Sequence, residues 1–116
     1  MDKANKHMEI CKKLNDIYIK KNHDYGDSFS KSYGKYGNVM PIIRLEDKLN
    51  RFRNLVINGN AEVNTESMED TLLDLANYAI MTVMELESKE KLYESQGEVQ
   101  KNDIRRSIAR NISNGI

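Results

Sequence analysis

Asp70 and Asp74 stand one helical turn apart in the segment ESMEDTLLDLANYAIMTVMEL, and Glu46 with Asn50 repeats that spacing earlier in the chain. On helices, such pairs place oxygen donors on one face. Two such faces laid antiparallel can surround a hard divalent cation that takes oxygen ligands, Mg²⁺ or Mn²⁺. Glu46, Asp70 and Asp74 are therefore the expected metal ligands. Through a metal that polarises phosphate and activates water, they are also the expected catalytic residues. Lys48 and Arg51 at i,i+3, with Arg44 close by, add cations that can hold phosphate oxygens, and Asn50 and Asn77 offer amides beside them. Tyr25, Phe29, Tyr33 and Tyr36 gather four of the chain's eight aromatic side chains between residues 23 and 39, and such rings can cover a base by stacking. Carboxylates, cations and rings together point to a nucleotide site, with Tyr25, Tyr33 and Tyr36 as its expected base contacts.

The elements that must hold these groups are helical by pattern. Met8, Cys11, Leu14 and Tyr18, with Ile10 and Ile17 beside them, form a 3.6-residue stripe that predicts a first helix over residues 3–22. Turn-forming residues from Asn22 to Gly26, and glycines at 26, 34 and 37, then predict an irregular flap over 23–39. Its aromatic content argues for an ordered loop, since disordered segments are poor in rings. Pro41 suits the first turn of a second helix. That helix runs to about Ile57 with Ile42, Leu45, Leu49, Phe52 and Val56 inward, while Asp47 and Arg51 can pair across its polar face. Asn64 or Thr65 is the expected cap of a third helix that continues toward Tyr93. Met68, Leu72, Leu75, Ala76, Ala79, Val83 and Leu86 form its core face, opposite a stripe of Glu66, Asp70, Asp74 and Asn77. Leu73, Ile80, Met81 and Met84 border that stripe, so both sides of the helix call for cover, as at a subunit interface. Ile104, Ile108 and Ile112 predict a short C-terminal helix in an appendage over residues 95–116.

The expected fold is thus all-α. A single domain, residues 1–116, forms a bundle of three main helices plus a short C-terminal one and oligomerises through the third. Eighteen basic residues balance eighteen acidic ones, so no global field favours nucleic acid or membrane, and any phosphate recognition has to be local. Cys11 is the single cysteine and lies on the apolar stripe of the first helix, where it reads as a small core residue rather than a nucleophile. With no apolar run near 18 residues and a polar, charged start, neither a membrane span nor a signal peptide is expected, and the protein is expected to be cytoplasmic.

Three segments carry a family resemblance: Asp24-Tyr25-Gly26-Asp27-Ser28, Arg44-Leu45-Glu46-Asp47-Lys48-Leu49-Asn50-Arg51, and Glu69-Asp70-Thr71-Leu72-Leu73-Asp74-Leu75-Ala76-Asn77-Tyr78-Ala79. Together they resemble the nucleotide-modification-associated domain family common in phages and prophages, which in turn resembles the MazG-like all-α nucleoside triphosphate pyrophosphohydrolases. The resemblance implies assembly as dimers or tetramers with sites between helices, and Mg²⁺-dependent cleavage of the α–β bond of a nucleotide. Against the paired E-x-x-E and E-x-x-D motifs of MazG enzymes, Leu49 stands where a second glutamate would be and Thr71 occupies the next Glu position. Asp74 matches the final aspartate. The alternative reading is a protein of the same fold that binds or sequesters a nucleotide, or a nucleotide second messenger, without chemistry.

Overall fold

A computed structural model of the chain describes residues 2–59, 61–96 and 108–109, side chains within 61–64 and 90–96 excepted. Among these residues the fold is all-helical, with α1 over Lys3–Tyr25, α2 over Ser28–Tyr36, α3 over Val39–Asn58 and α4 over Ala61–Gln96. No helix among them is long and apolar enough to cross a membrane.

Helix α1 starts at Asp2, whose side chain accepts from the Asn5 amide at 2.8 Å, the usual way an N-cap satisfies an orphan donor. The helix outlasts the expected end at Asn22 and stops at Gly26, which takes the left-handed conformation with φ +59°. Asp27 follows in the same region, also at φ +59°, which Asp tolerates better than most residues. Gly26 thereby closes α1 and Asp27 stands as the N-cap residue of α2. The expected irregular flap is a correction: most of it is helix α2. Gly26 and Gly37 bracket that helix, and Gly37 adopts φ +70° and ψ −154°, a region in effect open only to glycine. Gly34 lies inside α2 and interrupts nothing. The glycines of this stretch therefore punctuate a helix instead of preventing one.

Helix α3 begins at Val39 with Pro41 in its first turn, as expected, where its missing N–H is no loss. Helix α4 begins at Ala61, so Asn64 and Thr65 lie within its opening turns and do not cap it. The expected cap fails because the acid-rich first turn read from the sequence continues a helix already under way. Helices α3 and α4 form an antiparallel hairpin, the most extensive packing in the fold, and α1 and α2 lie across one side of it.

The faces turned inward match those expected only in part. Leu73 and Asn77 of α4 are buried, whereas Leu72 and Val83 of the expected core face are 43% and 51% exposed. On α3, Leu49 and Val56 are likewise 46% and 56% exposed, while Lys48 and Leu55 turn partly inward. Leu49, Val56, Leu72 and Val83 thus face solvent, whereas Ile42, Leu45 and Phe52 of α3 and Met68, Leu75 and Leu86 of α4, from the same expected stripes, are half-buried. Ile108 is buried, in the one described part of the expected C-terminal helix. Ile104 and Ile112 lie outside the described residues.

Candidate functional site

Each of the four helices contributes one stripe to a cavity of about 420 Å³. From α1 come Tyr18, Lys21, Asn22 and Tyr25, which share a face because their spacing follows the helical repeat. The double left-handed step after Tyr25 turns α2 so that Ser28, Phe29 and Ser32 close one side. Met40, Arg44 and Lys48 succeed one another at i,i+4 along α3, and Asp74, Asn77, Tyr78 and Met81 line the facing wall from α4.

Asp74 sits at the centre of the charge pattern. Its Oδ1 accepts from Lys21 Nζ at 2.8 Å, and its Oδ2 lies 3.2 Å from Lys48 Nζ. Burial pushes its carboxyl upward, but the hydrogen bonds and charges of the two lysines outweigh that effect and hold it below the usual aspartate range. Reciprocally, the hydrogen bond to Asp74 raises the Lys21 ammonium above its usual value, despite partial desolvation. Arg44 adds a third cation to the pocket wall, where Asp74 is the one carboxylate among the described residues. Three cations against a single anion leave a surplus of two positive charges, the polarity of a site for an anionic ligand.

The rings complete the pocket. Phe29 stacks on Tyr78 with centroids 6.0 Å apart and planes 24° from parallel, an offset arrangement that aromatic pairs prefer. Tyr25 lies 69% exposed at the same cavity. Asn77 is anchored from behind, its Nδ2 donating to the Leu14 carbonyl at 3.1 Å, which ties α4 to α1 at the floor.

Of the residues expected to act together, Asp74, Lys48, Asn77 and Tyr25 converge on this cavity. Glu46 and Asp70 are exposed and lie outside it. Asn50 is also outside, accepting from Arg53 Nη1 at 2.9 Å. Arg51 donates from Nε to Thr71 Oγ1 at 3.2 Å, joining α3 to α4 away from the pocket. Tyr33 is buried and its hydroxyl donates to Asn38 Oδ1 at 2.6 Å, so it braces the α2–α3 turn. Tyr36 is exposed under the Lys35 ammonium, 5.4 Å from the ring centroid. The sequence reading missed Lys21, Tyr18, Ser32 and Tyr78. A signal for Lys21 was present, since it shares a helical face with Tyr18 and Tyr25.

Among the described residues no three of the His, Cys, Asp and Glu side chains come together as metal ligands. The donor set of the pocket does not fit Mg²⁺ either. Its single carboxylate is already shared between two ammonium groups, and a hard cation in its place would lie against both.

The bridge also fixes how stability depends on pH. The folded carboxyl titrates below an unfolded one, so its contribution is present above the ordinary aspartate range and is lost as the pH falls through the depressed folded value. Lys21 contributes up to the ordinary lysine range and loses that contribution as the pH rises through its raised folded value. Melting temperatures should therefore hold between about pH 5 and pH 10 and drop outside that window. The acid-side drop should be smaller in Asp74→Asn, and equal acid sensitivity in the two proteins would remove Asp74 as its source.

A family model described as nucleotide modification associated domain 1 matches residues 21–86. That span exceeds half of the chain and takes in every pocket residue except Tyr18. The chain belongs to the nucleotide modification associated domain 1 family. No curated protein and no solved structure gives a significant match. In this member of the nucleotide modification associated domain 1 family, the matched segment runs from Lys21, one cation of the pocket, through α2 and α3 to the end of the apolar stripe of α4.

Proposed function

We propose that this domain binds a nucleotide in the four-helix pocket. The phosphate lies among Lys21, Arg44 and Lys48, and the base lies against the rings of Tyr25 and the Phe29–Tyr78 pair. The observation that carries this reading is the meeting of surplus positive charge with exposed aromatic surface in a single cavity. Phosphate oxygens are met by charge-assisted donors, and every base has a π-face that a ring can cover. The family description, which associates the domain with nucleotide modification, points the same way. The geometry supports binding ahead of hydrolysis of the MazG kind, because an aspartate held ionised by two lysines is a poor general base.

We further propose that the protein works as a homo-oligomer. Leu49, Val56, Leu72 and Val83 supply the exposed apolar side chains that a second copy would cover.

The chain has six tyrosines and no tryptophan, so its intrinsic fluorescence reports tyrosine alone. Titration with a panel of ribo- and deoxyribonucleotides should quench that emission saturably, and Tyr25→Leu should reduce both the amplitude and the affinity. A panel in which no nucleotide changes the emission, and none is retained on equilibrium dialysis, would contradict nucleotide binding.

A further inference from the structure

We infer that the nucleotide taken by this pocket carries a single phosphoryl group, and that its phosphate takes the place Asp74 holds between Lys21 and Lys48. This inference rests on the nucleotide reading above and narrows it to nucleoside monophosphates.

Geometry is the first support. The two oxygens of Asp74 accept from two different ammonium groups, Lys21 Nζ at 2.8 Å and Lys48 Nζ at 3.2 Å. A phosphate presents the same pattern of adjacent anionic oxygens, with stronger acceptors and more of them. The Asp74 side chain is only a quarter exposed and Lys48 is similar, so the bridge lies in the wall of the cavity and not on open surface. A phosphate entering beside an undisturbed Asp74 would meet a like charge at close range, which is costly in a partly desolvated site. Exchange of the lysines from carboxylate to phosphate removes that repulsion.

Charge is the second support. The pocket's surplus of two positive charges matches a phosphomonoester, which carries about −1.5 to −2 at neutral pH. A triphosphate would bring further charge with no additional lysine or arginine among the pocket residues to meet it. The cavity of about 420 Å³ is also toward the small end of the roughly 300–1,000 Å³ common for small-molecule sites.

It follows that Asp74 competes with the ligand. Removing its charge while keeping its shape should therefore strengthen binding, whereas a metal-holding aspartate would weaken it on the same change. The test is calorimetric titration, without added metal, of wild type and Asp74→Asn with the 5′-monophosphate and 5′-triphosphate of each of the common ribo- and deoxyribonucleosides. The wild type should bind at least one monophosphate as tightly as its triphosphate or tighter, and Asp74→Asn should bind that monophosphate about tenfold more tightly. A triphosphate bound more tightly than its monophosphate for every base would overturn the inference while leaving nucleotide binding intact. So would unchanged or weaker monophosphate binding by folded Asp74→Asn. Should that variant fail to fold, the wild-type comparison of mono- and triphosphate decides alone. Absence of binding by any of these nucleotides would overturn the nucleotide reading together with this one.

Discussion

Lys48→Ala should weaken nucleotide binding by about tenfold to a hundredfold, the equivalent of losing a charge-assisted hydrogen bond of about 1.5–3 kcal/mol. Lys48 is three-quarters covered and reaches Asp74 from α3, while Lys21 reaches it from α1, so the ligand's phosphate would be gripped from two helices at once. Removing Lys48 leaves Asp74 paired with Lys21 and adds no unpartnered buried charge, so the fold should survive with a small drop in melting temperature. Lys48→Arg should recover part of the affinity, because the charge returns with a different donor geometry. Calorimetry on folded protein separates these effects, and unchanged affinity in Lys48→Ala would remove Lys48 from the site.

The second large effect concerns assembly. Val83 lies on the outer stripe of α4 and is half exposed in the subunit, so Val83→Glu costs little within one chain. At an interface the same glutamate would be desolvated against apolar neighbours, at several kcal/mol. The wild type should sediment as a dimer or larger species at micromolar concentration. Val83→Glu should sediment at the 13.4 kDa of one chain, with its helical circular dichroism retained. A wild type that already sediments at that mass would contradict self-association.

Much of the architecture was legible in the sequence. The 3.6-residue stripes located the helices α1, α3 and α4. What stayed hidden has physical causes. Three closely spaced glycines read as a loop, yet two of them occupy left-handed or glycine-only positions at the ends of α2 and leave nine helical residues between them. The inward face of α4 is shifted from the expected one for a different reason. An apolar stripe ordinarily marks the interior, but here a polar-lined pocket takes part of the inward side of α4, so Asp74 and Asn77 lie in its wall while Leu72 and Val83 lie outside and Leu75 and Leu86 are half-buried. Asp70, one turn from Asp74, misses the cavity, since the level of Asp74 to Met81 is what lines it from α4. Tyr33 illustrates the limit of composition, because its place among four clustered rings suggested a base contact and its hydroxyl instead braces Asn38.

The most direct measurement is the amide spectrum of ¹⁵N-labelled protein during titration with nucleoside monophosphates. Binding in the four-helix pocket should shift the amides of Lys21, Tyr25, Arg44, Lys48, Asp74 and Tyr78 together, with one saturation curve, and leave the exposed Glu46, Asn50 and Asp70 region nearly still. Shifts centred on Glu46 and Asp70, or a spectrum that no nucleotide moves, would contradict a nucleotide site built on the two lysines and their shared aspartate.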